Sequence, residues 1–151
     1  MRVLTINRYA THEYEIFEKF SAGIVLKGEE IKSARNNNIN IKDSYGIIQA
    51  GEVFLLNCFI GQYKNSFDKT ISDERKSRKL LFTKKEIRKI IGYISEKGLT
   101  LIPLKAFLGD KGFLKIEIGI AKHKKLFDKR RDIKERDLAR EAHRELKNLG
   151  K

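Results

Sequence analysis

Three short segments hold most of the side chains that could do chemistry. "SRKLLF" carries Arg78 and Lys79, and "EEIKSAR" carries Lys32 and Arg35, three residues apart on one side of a helical turn. "KHKKLFDKRR" gathers six Lys/Arg, at 122, 124, 125, 129, 130 and 131. Ammonium and guanidinium groups at this density neutralise phosphates and release their counterions, so the binding they support depends on salt. The whole chain leans the same way: its 151 residues carry a formal net charge of +13, which favours a polyanionic partner. Nucleic acid and an anionic membrane are the two candidates. Spanning a membrane takes about 20 consecutive apolar residues, and no run here approaches that length. The opening "MRVLTINRYATHEYEIFEKF" also lacks the apolar stretch of a signal peptide. A cytoplasmic protein is therefore expected, with no membrane partner.

Other chemistries find little support. His12, His123 and His143 are scattered, and the single cysteine, Cys58, lies in the apolar run "VFLLNCFI", which predicts a buried, inert thiol. No CxxC, HExxH, Walker A or GxSxG pattern occurs. No catalytic residue, metal or cofactor is expected, and the chain reads as a binding protein rather than an enzyme.

These cations need elements to hold them. "FTKKEIRKIIGYISEKG" predicts a helix: Thr83 and Glu86 fit a capping box, and Gly98 is a natural stop. Ile87, Ile90, Ile91 and Ile94 recur at i, i+3, i+4, i+7 as one apolar stripe. "LKIEIGIA" alternates with period two, and with "LTLIPLKAF" it forms a hairpin through "LGDKG". "INIKDSYGIIQAGEVFLLNCFI" predicts a second hairpin with Ala50-Gly51 at its tip. "EYEIFEKF" and "AGIVLKG" add one or two strands, and "EEIKSAR" a short helical turn.

About six strands with one firm helix give a mainly β fold, and an OB-type closed antiparallel β-barrel with flanking helices is favoured because it closes its edges. An open α+β sheet gives similar patterns. The barrel core is expected over 1–126. Gly61–Arg78 reads as a long polar loop.

From Lys122 onward the chain carries twelve Lys/Arg against six Asp/Glu. Leu138, Ala142, Leu146 and Leu149 form a narrow apolar row on a helix, which is marginal alone in water. Residues 127–151 are therefore expected to be a basic tail, mobile when free and helical when bound. No helix here looks like a major-groove reader, so structured or single-stranded RNA suits this surface better than duplex DNA.

In that order, "NRYATHEYEIFEKFSAGIVLKGEEIKSAR", "KDSYGIIQAGEVFLLN", "RKLLFTKKEI", "EKGLTLIPLKAF" and "KKLFDKRRDIKER" resemble the segments of the SsrA-binding protein (small protein B) family, from about Asn7 to Arg136. The resemblance implies a non-enzymatic adaptor for ribosome rescue by trans-translation. Its OB-type barrel would bind the tRNA-like domain of transfer-messenger RNA, and it would act with elongation factor Tu and GTP. On this chain the implied RNA surface includes Asn7, His12, Lys32, Arg35, Arg78, Lys79 and Leu81, to which the cluster at Lys122, Lys124 and Lys125 is added. The implied ribosome-binding tail is Phe127, Asp128, Lys129, Arg130, Ile133, Lys134, Glu135 and Arg136, entering the messenger channel near the decoding centre. The chain departs from the family pattern at Ser21, which replaces a usual acidic residue, at His123, which replaces a common glycine, and at Asp73-Glu74, where the loop lacks the usual Asp-Pro. The alternative is a ribosome-assembly or structural ribosomal protein, which would share charge and fold but need no functional tail.

Overall fold

The computed structural model describes residues 1–62, 74–124 and 126–149; the side chains of 96, 97, 126–129, 131, 132 and 145–149 are outside the description. The first half contains β1 (Arg2–Ile6), α1 (Ala10–Glu13), β2 (Tyr14–Ile24), α2 (Gly28–Arg35), β3 (Ile39–Asn40), β4 (Tyr45–Gln49), β5 (Glu52–Leu56) and β6 (Phe59–Ile60). The second contains β7 (Arg78–Leu81), α3 (Lys84–Lys97), β8 (Thr100–Leu108), β9 (Leu114–His123) and α4 (Leu126–Leu149).

Alternation of apolar and polar residues builds the sheet. In β9, Leu114, Ile116, Ile118 and Ile120 are all buried while Lys115 and Lys122 face out, as period two demands. β9 returns along β8 in the expected hairpin, with Gly112 in the left-handed region at its turn. The β4–β5 hairpin turns on Ala50 and Gly51, both at positive φ, the conformation a two-residue turn between twisted strands requires.

All pairings are antiparallel, and they run β8–β4–β5–β7–β2–β9, with β9 also paired to β8. The ladder thus returns to its starting strand. β1 lies on the outer side of β8, and β3 and β6 form a separate two-stranded sheet. Ala22, Val53, Leu55, Leu101, Ile116 and Ile118 are fully buried within this circuit.

The mainly β expectation is met, with more strands than the six anticipated. "EYEIFEKF" and "AGIVLKG" are one strand as far as Ile24, and β1 and β7 were not anticipated as strands. "RVLTI" lacks a clean alternation, and its pairing with β8 orders it.

α3 starts at the Thr83–Glu86 capping box and stops at Gly98, φ 62°. Its stripe is narrower than the spacing suggests: Ile90 is buried and Ile87 and Ile94 half-buried, whereas Ile91 is exposed. The Gly61–Arg78 loop lies largely outside the described residues.

α4 begins three residues after β9 ends. From Ile133 to Arg144 every side chain on it is exposed, Ile133 and Leu138 included. Among the described residues no helix is long and apolar enough to cross a membrane.

Candidate nucleic-acid interface

The anticipated residues divide into three places. At the turn end of the β8–β9 hairpin, α2 presents Lys32 and Arg35 in its last turn, both exposed. Basic residues suit the negative end of a helix. Arg35 Nη2 donates to the carbonyl of Gly112 at 3.0 Å, and Arg2 Nη2 donates to the carbonyl of Arg35 at 3.3 Å. Arg2, which the motifs did not single out, therefore joins this patch.

At the other end of the hairpin stand Asn7, His12, Lys122 and Lys124. The ten residues of β9, at about 3.3 Å each, separate the two patches by about 30 Å. Lys122 is exposed. Lys124 ties the chain to α1: its backbone N–H donates to Glu13 O at 2.8 Å and its Nζ to Thr11 O at 2.9 Å. His12 and His123 approach the two oxygens of the Glu13 carboxylate, at 3.9 and 3.5 Å, and the His123 ring meets Tyr14 edge-on. Asn7 is a structural anchor: its backbone N–H donates to Leu104 O at 2.8 Å and its Nδ2 to Pro103 O at 3.0 Å. Lys125 lies outside the described residues.

Between the ends, β7 separates two neighbours that the sequence presents alike. Arg78 points inward and is 3 % exposed. Its Nε donates to Glu30 Oε2 at 2.7 Å, and the rest of its guanidinium donates to the carbonyls of Cys58, Lys76 and Glu74. Lys76 also pairs with Glu30, at 3.2 Å. Burial pushes the Glu30 carboxyl up, but the Lys27 N–H and the Arg78 guanidinium outweigh it and hold Glu30 below its ordinary range. The same region buries Cys58, whose thiol is pushed up to about 11 by desolvation and so stays protonated and unreactive at neutral pH.

The donors of Arg78 are thus occupied beneath the surface, by Glu30 and three carbonyls. The physical reason is the strand itself: residues two apart share a face, and Leu80 beside it is core. Lys79 faces out and pairs with Glu52 at 2.9 Å, with both side chains over 40 % exposed. Leu81, 52 % exposed, covers Gly23 on the neighbouring strand, so it is a surface residue rather than core.

In the tail, Arg130, Ile133, Lys134, Glu135 and Arg136 are exposed on α4. Phe127, Asp128 and Lys129 belong to its first turns, but their side chains lie outside the described residues. Among the described residues no group of three or more His, Cys, Asp or Glu could hold a metal ion.

The architecture is thus a mainly β protein with two exposed basic patches on a common hairpin and a charged helix leaving one end, a surface suited to an extended polyanion. The SmpB protein family matches residues 4–148. The chain is 48 % identical over 147 residues to the SsrA-binding protein of Coprothermobacter proteolyticus, covering 97 % of this chain and 98 % of that one. It is 49 % identical over 148 residues to the SsrA-binding protein of Acetivibrio thermocellus, covering 97 % and 94 %. A chain in the solved structure "tmRNA-SmpB: a journey to the center of the bacterial ribosome" matches with TM-score 0.68 and 40 % identity, over 83 % of this chain and 87 % of that one. The chain belongs to the SmpB family.

Proposed function

We propose that this protein is an RNA-binding adaptor in trans-translation. It binds the tRNA-like domain of transfer-messenger RNA and delivers that RNA to stalled ribosomes, in the cytoplasm and together with elongation factor Tu. The observation that carries this reading is the near full-length likeness to SsrA-binding proteins and to a chain described with tmRNA and the bacterial ribosome.

The circuit of β-ladders is read as an OB-type closed barrel, which leaves its outer surface for the RNA. Lys32, Arg35 and Lys79 meet RNA phosphates, with His12, Leu81, Lys122 and Lys124 on the same molecule-wide surface. Arg78 acts through others: bound to Glu30 and three carbonyls, it fixes α2 against β7 and so aims Lys32 and Arg35. Asn7 likewise positions the chain leading into α1. Lys125 is assigned to the RNA by its place beside Lys124.

The tail does the second task. Phe127 to Arg130 and Ile133 to Arg136 enter the messenger channel near the decoding centre, where basic groups meet ribosomal RNA and Phe127 stacks on a base.

The test is reconstituted translation of a message lacking a stop codon, supplied with alanyl-transfer-messenger RNA and elongation factor Tu. Addition of this chain is expected to produce tagged, released peptide. Tagging that is the same with and without the chain would refute the reading.

A further inference from the structure

A cleft of about 550 Å³ opens beside α1, at the end of the β8–β9 hairpin where α4 departs. That lies within the roughly 300–1,000 Å³ of small-molecule sites. Its lining is unusual for so charged a chain. Three of the protein's five tyrosines, Tyr9, Tyr14 and Tyr45, line it together with His123. Tyr9 and Tyr45 are exposed large aromatics, at 56 % and 44 %, so neither is used to fill the core.

Lys42 stands at the rim with its Nζ 4.4 Å from the centre of the Tyr9 ring. Asp43, next to it, holds the left-handed conformation at φ 64°. The cleft therefore combines aromatic faces and a cation, the two features that take the face and the phosphate of a nucleotide.

We propose that this cleft binds one unpaired RNA base, stacked on Tyr9 or Tyr45 with its phosphate at Lys42. This rests on the RNA-binding reading above and adds to it a single-base site, about 30 Å from the Lys32–Arg35 patch. The base comes from either the tRNA-like domain or the small ribosomal subunit, which share the chemistry.

The experiment uses the full chain. The four nucleoside 5′-monophosphates are titrated while the ring resonances of Tyr9, Tyr14, Tyr45 and His123 are followed by NMR. Saturable shifts confined to these rings are expected, with affinity reduced at least about five-fold, a single stacking contact, in Tyr45→Ala and largely kept in Tyr45→Phe. Unmoved rings at millimolar nucleotide, or equal affinity in Tyr45→Ala, would overturn the site. A folded Tyr45→Ala is confirmed by its unchanged thermal transition. If that variant unfolds, Lys42→Ala with the Tyr45→Phe comparison gives the same decision through the phosphate contact.

Ultraviolet crosslinking of the wild type to the isolated tRNA-like domain and, separately, to small ribosomal subunits then assigns the source by which RNA is joined to Tyr9 or Tyr45. Crosslinks to neither would overturn the RNA-base assignment in favour of a free nucleotide. Wild-type binding to the tRNA-like domain is measured in parallel. Its absence would sink the RNA-binding reading itself, whereas its presence with a silent cleft sinks only this inference.

Discussion

β9 and α4 are neighbours in the chain, yet they are built on opposite principles. β9 buries Leu114, Ile116 and an unbroken run from Ile118 to Ala121, and pairs with β2 on one side and β8 on the other. Its Glu117 pairs with Lys105 at 3.3 Å and stands 3.9 Å from Lys19. α4 shows only exposed side chains from Ile133 to Arg144. The apolar side chains there, Ile133 and Leu138, are 47 % and 57 % exposed. A 24-residue helix with one thin apolar row gains little from propensity alone and takes most of its stability from what it packs against. The contrast is one of packing: the β-sheet body buries its own apolar face, while the helix presents exposed, charged side chains from Ile133 to Arg144.

The strongest way to break this comparison is in the tail. Replacing Asp128, Lys129 and Arg130 together with alanine is expected to abolish peptide tagging and leave affinity for the tRNA-like domain within about two-fold. A parallel loss of RNA affinity would show that body and tail are one binding surface.

Next in size is Arg78→Ala. It leaves the half-buried Glu30 with only the Lys27 N–H and Lys76 and strips three carbonyls of their donor, a loss of up to about 3–5 kcal/mol by analogy with a broken buried pair. Thermal or urea unfolding should show a large loss of stability. The salt dependence of RNA binding by the protein that remains folded should keep its slope. A lowered slope with unchanged stability would return Arg78 to the phosphate surface.

Lys32→Ala with Arg35→Ala is expected to do the reverse. Stability changes little, because both side chains are exposed, as is the bond from Arg35 to Gly112. The slope of log affinity against log salt falls by up to about 2. An unchanged slope would make these residues a solvated face.

The smallest effect is in acid. Glu30 is held below its ordinary value near 4.5, so its contribution is full above that pH and is lost as the pH falls through the lowered value. Urea midpoints between pH 7 and 3 should decline most below about 4.5, and Glu30→Gln, less stable at neutral pH, should decline less. Parallel declines in both would place the acid sensitivity elsewhere.

Elements with a strong local signature were legible in the sequence. Thr83, Glu86 and Gly98 bound α3 as they stand, and the isoleucines of β9 fall on one face. What depends on distant partners was not. β1 exists because β8 pairs with it, and nothing within "RVLTI" states that. Arg78 is the instructive case: Leu80 two residues on already implied an inward face, but Glu30, 48 residues away, gives that face a carboxylate, and no local pattern reports it. Tyr9 and Tyr45 carry no local signal, and the fold alone places them at one cleft. Lys32 and Arg35 were visible because both lie on one short helix, whereas Arg2 joins them only through the carbonyl of Arg35.

The central claim, that RNA recognition resides in the β-sheet body, is tested most directly by binding to the tRNA-like domain of transfer-messenger RNA across a salt series. The full chain is compared with a chain ending at Leu126. Equal, tight and equally salt-dependent binding by both is the predicted result. A large loss of affinity and of salt slope on removal of the tail would make α4 an RNA-binding arm and contradict the account.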